Sequence, residues 1–500
     1  MEAEMKKFSG DSAIRNPKSA MPFLATFYSA ILCGGLFATF TYAQSGWGPD
    51  TRLVFMQGGG WYPRAACCGD TIHLVWWQHY AHDEVFYKRS TDAGLTWGED
   101  VMLSVEDGQS SVLPEIAVSG NTVHVIWFED DFGLVYRRSF DGGTTWQQID
   151  SIVPGVDYSS ILAMGDTIYI AGITSSGGIL KFTKSNNGGN SWLPIIDVTP
   201  ARANPTLRLV SNNILTLTVS YRALPGVCEI YNVLSFNGGE TWLDSQMVSE
   251  NDGIGSQHPA MDTDDSGGIH ITWYDYKYSP YPWTGDIFYR VSRDSGSTWE
   301  EIDSLTVMHR AVASDILAEG TNLHLVWEDD RNGFDNNFEI YYRMSTDLGR
   351  TWGPEERLTN APYHSYCPSL ACGGGYLHLF WQDRREYGNN GPSAPIYYKR
   401  KDLSVGIKEN VLSSCSSSSL FLNCPAILAE KTLICYDLGK NKNGEINLID
   451  VTGRVIGTVP VHQVSGELVF PFNKEVQDGV YFLMLKAGKE CVIKKVVKVK

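Results

Sequence analysis

One octet occurs six times in this chain: STDAGLTW at 90–97, SFDGGTTW at 139–146, SNNGGNSW at 185–192, SFNGGETW at 235–242, SRDSGSTW at 292–299 and STDLGRTW at 345–352. The copies are 46–57 residues apart. A repeat of that period is one supersecondary unit that buries its apolar face only against its neighbours. Each position of the octet has a physical task. The carboxylates of Asp92, Asp141, Asp294 and Asp347 suit a tight turn whose backbone N–H groups need acceptors. Gly94, Gly143, Gly189, Gly239, Gly296 and Gly349 suit a backbone position with positive φ. The closing Trp starts the next strand with a large face to bury.

The rest of the unit repeats as well. A β-rich run precedes each octet: VFYKRS, LVYRRS, LKFTKS, IYNVLS, IFYRVS and IYYRMS. Upstream lies TIHLVW at 71–76, with TVHVIW, GIHITW, NLHLVW and YLHLFW as counterparts in later units. Before that comes a strand marked by Pro63, Pro114, Pro205, Pro259 and Pro368. Pro63 to His73, Pro114 to His124 and Pro368 to His378 are each ten residues. Four short strands separated by Gly and Asp turns, repeated in tandem, predict an all-β chain of propeller blades.

The count predicts seven blades closed by the N-terminus. There are seven upstream strands and six octets, and the seventh unit stops at IYYKRKD before its outer strand. Trp47-Gly48-Pro49-Asp50-Thr51-Arg52-Leu53 matches the outer strand of the preceding unit, Trp352-Gly353-Pro354-Glu355-Glu356-Arg357-Leu358. We therefore expect a seven-bladed β-propeller over 45–403, its last blade completed by an N-terminal outer strand. Blades three and four are degenerate, with Asn187 and Asn237 in the octet.

Composition bounds the function. Hydrophobic residues make up 43% and charged residues 19%, which excludes a disordered chain, a collagen and a coiled coil. A formal net charge of −17 argues against nucleic acid or an anionic membrane as partner. Residues 21–43, MPFLATFYSAILCGGLFATFTYA, follow Lys6, Lys7, Arg15 and Lys18 and end on a small residue, as a secretory leader does. We expect residues 1–43 to be a signal peptide, with no membrane span once it is removed; a single anchor is the alternative. Nine of the ten cysteines lie beyond it, an odd number, so one thiol at least stays unpaired. Cys67 and Cys372 fall on neighbouring inner strands at the ring seam, where a disulfide and two inert thiols are both open readings.

The octet S-x-D-x-G-x-T-W resembles the Asp-box, or BNR, repeat, and residues 45–403 resemble the propellers of the sialidase superfamily and its non-enzymatic relatives. The resemblance implies that the Asp-boxes are structural staples away from any active site. Chemistry is expected on the opposite rim, where second strands end and first strands begin. The second-strand loops of blades five to seven bring together Asp275, Tyr276, Trp283, Asp329, Asp330, Arg331, Asp383, Arg384, Arg385 and Tyr387. The first-strand entrances add Trp61, Tyr62, Arg202, His258, His309, Arg310, Tyr363 and His364. Rings stack on pyranose faces and guanidinium forks pair with carboxylates, so these residues are read as a glycan or surface-protein site; solvated loop charges pairing among themselves are the alternative. The family clamps its substrate with three arginines, the first standing two residues before the proline of the first blade. Here Trp61 holds that place, in Trp61-Tyr62-Pro63-Arg64. The expectation is a binding propeller without catalysis. The alternatives are a glycoside hydrolase of exo-sialidase type on acidic sugars, with Asp330 or Asp383 as its acid, and a structural scaffold.

No cofactor motif and no metal site is read. His73, His124, His270, His324 and His378 recur at one blade position, so the ring spreads them apart. The run Asp262-Thr263-Asp264-Asp265-Ser266-Gly267 resembles a calcium loop but lacks a distal Glu, and reads as a turn. Residues 404–425 are a Ser-rich linker. Residues 426–500 carry short strands, with Asn443-Gly444 read as a hairpin turn, and predict a small Ig-like β-sandwich. IDVTGR at 449–454, Gly479-Val480-Tyr481-Phe482 and the Lys-rich last strand resemble the C-terminal sorting domain of bacterial type IX secretion. That resemblance implies the outer-membrane machinery as a partner and the cell surface or medium as destination.

Overall fold

The computed structural model describes residues 46–403 and 421–498 apart from short stretches, chiefly 279–284, 332–336, 389–393 and 472–478. The expected leader, most of the Ser-rich linker and Trp283 lie outside the described residues. Every regular element described is a β-strand, and among the described residues no helix is long and apolar enough to cross a membrane.

The strands form repeated four-stranded antiparallel sheets, the architecture of a β-propeller. Sheet one consists of Trp61–Cys68, Thr71–His79, Asp83–Ser90 and Val101–Met102, hydrogen-bonded in that order. Five further sheets repeat the order, starting at Ser111, Val156, Ala203, Ser256 and Ala311. The last, which we call sheet seven, takes Ser365–Gly373, Tyr376–Asp383 and Ile396–Asp402 from its own unit and Thr51–Arg52 from the N-terminus. Thr51 pairs with Tyr398 and Arg52 with Tyr397. The first strand of each sheet packs on the first strand of the next, and that of sheet seven on that of sheet one.

The octets explain how neighbouring sheets lock. Ser139 Oγ accepts the Gly143 amide at 2.8 Å, and Asp141 accepts the Thr145 amide at 2.8 Å and its hydroxyl at 2.7 Å. These bonds hold the Asp141 carboxyl down at about 2. Asn187 reproduces the geometry, accepting the Ser191 amide at 2.9 Å and donating to its hydroxyl at 2.8 Å, so the degenerate boxes close the same turn. Gly143 combines φ +82 with close approach: a Cβ there would lie 1.9 Å from the Tyr87 hydroxyl of the preceding sheet. The box tryptophan meets the same ring edge-on, Trp146 on Tyr87 at 4.9 Å and Trp352 on Tyr289 at 5.4 Å. Trp47 meets Tyr342 at 5.3 Å in the same way, so the N-terminal segment supplies the tryptophan that sheet seven lacks.

That tyrosine row also absorbs the repeated histidines. His73, His124, His270, His324 and His378 each place Nδ1 at 2.7–2.8 Å from a tyrosine hydroxyl, of Tyr87, Tyr136, Tyr289, Tyr342 and Tyr398. They are buried core groups. The calcium-like run is a turn: Asp264 accepts the amides of Ser266 and Gly268 and lies 2.9 Å from His270 Nε2. Among the described residues no cluster of metal-ligating side chains occurs.

The pleat decides against a seam disulfide. Side chains alternate faces along a strand. Ala371 packs in the core shared with sheet one, beside Ile72 and Trp76, whereas Leu370 packs in the core shared with sheet six, beside Val326 and Tyr342. Cys372 has the parity of Leu370 and so faces away from Cys67, which lies against the sheet-one core. The residue that faces Cys67 is Gly373, whose Cβ position is 2.6 Å from that of Cys67. Both thiols are free.

Residues 421–498 form a three-stranded and a five-stranded sheet. Ile434 and Tyr436 of the first share a core with Ile446, Leu448, Leu483, Leu485 and Val496 of the second. Asn443-Gly444 is not a hairpin turn. Lys431–Asp437 pairs with Ser465–Pro471 and Gly444–Asp450 with Gly479–Ala487, so the two strands flanking Asn443 belong to different sheets. Both flanking strands must turn their apolar side chains into one core, which a flat hairpin cannot do.

Candidate functional site

Each first strand carries a register break near its start, between Trp61 and Arg64 in sheet one and at the matching place in the others. In six sheets the residue at the break has a side chain and a left-handed backbone: Tyr62, Leu113, Asn204, His258, Ala313 and Cys367, with φ from 36 to 55°. Five of them stand immediately before the repeated prolines, where a left-handed residue is disfavoured twice over. All six line one cavity of about 490 Å³ where the seven first strands meet. Its volume is that of a small-ligand site. The mouth lies where second strands end and away from the octets, because the octets follow third strands, which run the opposite way.

The mouth has two unlike walls. Tyr62 and Tyr158, 38% and 40% exposed, flank Leu113 on one side. Partial burial pushes Tyr62 up to about 12. On the other side stand Arg202, Asn204, Gln257 and His258. Arg202 donates to the Cys228 thiol at 2.9 Å and has no carboxylate within ion-pair distance among the described residues. His258 stacks on Tyr274 at 5.5 Å, with Asn204 3.4 Å from its Nδ1, and burial lowers its pKa. Tyr274 donates to Gln257 at 3.2 Å, and Tyr276 to Tyr274 at 3.4 Å.

Deeper in, the charges are paired across sheets. Arg64 meets Glu115 at 2.8 Å and Arg208 meets Asp262 at 2.9 Å. Asp315 accepts the Leu370 amide at 2.8 Å and is raised by burial. Behind the wall Glu328 accepts the Cys367 amide at 2.6 Å. Burial pushes Glu328 up to about 8, and its charge in turn bears on Tyr62, Tyr274 and Tyr366.

The rim residues picked from the sequence divide into two groups. Asp275, Asp329 and Asp383 occupy one repeat position, two residues after the second-strand tryptophan. Trp327 donates to Asp329 at 3.2 Å and Trp381 to Asp383 at 2.9 Å, as Trp127 does to Glu129 at 2.7 Å. Ser256 donates to Asp275 at 2.7 Å. Arg331 folds back on Asp329, reaches Glu355 and lies 4.2 Å over the Tyr341 ring. Arg385 repeats this with Asp383, Asp50 and Tyr397. These groups are engaged with one another and in closing their own sheets. Asp330 is buried and paired with Arg310 at 2.8 Å; burial raises it to about 6 although Arg310 opposes the rise. None of these lines the cavity.

The second group is likewise outside the cavity lining and lies against aromatic rings. Arg384 lies 5.5 Å over Trp61 and 5.6 Å over Tyr366, with Nε donating to the Tyr366 hydroxyl at 2.9 Å. Tyr387 is 40% exposed, and Tyr276 reaches the cavity wall through Tyr274. Leu113, Asn204 and Tyr158 were not picked from the sequence. The residue before each repeated proline was the available signal for the first two.

No family model matches the chain, and no curated protein matches it. Among solved structures it is similar to a protein of unknown function from Dyadobacter fermentans DSM 18053, with TM-score 0.47, 13% identity, and coverage of 71% of this chain and 97% of that one. It is similar to the phage phi92 endosialidase, with TM-score 0.46, 11% identity and coverage of 89% and 87%. A PL25 ulvan lyase gives TM-score 0.49, 10% identity and coverage of 68% and 94%.

Proposed function

We propose that this chain is an exported, seven-bladed Asp-box propeller whose channel mouth binds a carbohydrate without cleaving it. The observation that carries the reading is the two-sided mouth: exposed Tyr62 and Tyr158 with Leu113 on one wall, and Arg202, Asn204 and His258 on the other. A sugar has apolar C–H faces and a polar edge, and rings with fixed polar groups opposite answer both. The cycle of first-strand contacts supports seven blades. Two sheets sharing one core support an Ig-like sandwich over 426–500, which we read as a sorting domain addressed to the type IX machinery, with residues 1–43 as leader. Binding is tested by calorimetry of the full chain against neutral and acidic mono- and disaccharides. Tyr62→Ala and Arg202→Ala are expected to weaken binding strongly and Arg331→Ala to spare it. Loss with Arg331→Ala and retention with the other two overturns the placement. Deleting 426–500 is expected to hold the chain inside the outer membrane; unchanged release overturns the sorting role.

A hydrolase is the second reading, and buried acids favour it. Asp330, at about 6, and Glu328, at about 8, sit near the range a general acid needs at neutral pH. Release of free sugar from sialosides and other acidic glycosides, lost in Asp330→Asn with Asp383→Asn or in Glu328→Gln, establishes it. No release from any substrate removes it.

A further inference from the structure

The cavity is not the end of the ring-lined surface. Trp61, next to Tyr62, stacks on Trp77 with centroids 5.6 Å apart and meets Tyr366 at 6.3 Å. Tyr366 meets His364 at 6.3 Å. The Arg384 guanidinium is held over both Trp61 and Tyr366. Further out, Tyr363 and Tyr387 are each 40% exposed, and the Tyr363 ring packs against the backbone of Gly388, 3.6 Å from its Cβ position. These residues come from sheets one and seven, so the trail follows the seam at which the ring closes.

We propose that this trail holds further sugar units, so that the ligand is an oligosaccharide with one end in the cavity and its body across the seam. The inference rests on the carbohydrate reading above. Two large, exposed rings beside a binding mouth lose water favourably only when something covers them. Arg331 and Arg385 are held by Asp329 and Asp383 of their own sheets.

The test is calorimetry of the full chain with size-graded series, galacturonate and N-acetylglucosamine oligomers of one to six units. In a series that binds, affinity is expected to rise about tenfold or more from one unit to four. Tyr363→Ala with Tyr387→Ala should remove that rise, and Tyr387→Phe should keep it, since stacking needs the ring and not the hydroxyl. Arg202→Ala should weaken every length alike. A single unit binding as tightly as six, or a rise that survives the double alanine variant, overturns the inference and leaves the cavity site standing. Failure of every length in both series overturns the carbohydrate reading and this inference with it. Thermal melting of each variant separates lost binding from lost folding.

Discussion

At the scale of single residues the most telling feature is a repeated strain. Tyr62, Leu113, Asn204, His258, Ala313 and Cys367 carry a Cβ at positive φ, which costs about 1–3 kcal/mol each in unfavourable cases. A fold that wanted only stability would place glycine there, as it does at Gly94, Gly143, Gly189, Gly239, Gly296 and Gly349 of the octets. The strain sets direction: it turns these side chains into the cavity. Asn204→Gly should therefore stabilise the chain by about 0.5–1 kcal/mol and weaken ligand binding. Chemical denaturation and calorimetry read the two effects, and a loss of stability would show that the conformation is not strained. This ring was only half legible in the sequence. The prolines mark its place, but the sign of φ before a proline comes from the register break, which no single strand reveals.

Among the elements, the short N-terminal strand does more than its two ladder residues suggest. Asp50 pairs with Arg385 at 2.8 Å and with Lys399 at 2.7 Å, and Arg52 pairs with Glu386. Lys399 is buried, and among the described residues Asp50 is the carboxylate it pairs with, so removing that charge leaves the cation unmatched there. Asp50→Asn is expected to lower stability by about 2–3 kcal/mol and to expose the N-terminal segment to protease before the rest. Urea denaturation and timed proteolysis check this; unchanged cleavage would show that the ladder and Trp47 alone hold the strand. The match between 47–53 and 352–358 announced this strand in the sequence. The roles of Arg331 and Arg385 were not announced, because an arginine two residues from an aspartate reads the same whether it meets ligand or folds back.

Across the whole molecule the repeated histidines make stability depend on pH. Burial lowers His73, His124, His324 and His378 to about 4 from an unfolded value near about 6.5. Between those values the unfolded chain takes protons that the folded one refuses. Their contribution is full above about pH 6.5 and falls as pH drops toward 4. Glu229, raised to about 7, and Glu328, raised to about 8, act oppositely, adding stability as pH falls below those values. The histidine part is isolated by His124→Asn. The variant should be the less stable at pH 7, and its gap to the parent should narrow by about 2 kcal/mol on going to about pH 4.5. Urea denaturation at both values measures it, and a constant gap would mean that His124 does not titrate on unfolding.

The sequence alone determined what is local and periodic. Turn chemistry, strand alternation and the period of the octet are written residue by residue, so the all-β architecture, the blade unit and the borrowed outer strand are legible along the chain itself. The tertiary structure decided what depends on which face meets which. It turned Cys372 away from Cys67, sent the chain across two sheets at Asn443, tied the rim carboxylates to their own tryptophans and arginines, and gathered Tyr62, Tyr158, Arg202 and His258 from four different sheets into one cavity. Those outcomes follow from side-chain parity and from closure of the ring, and both exist only when distant strands are in contact.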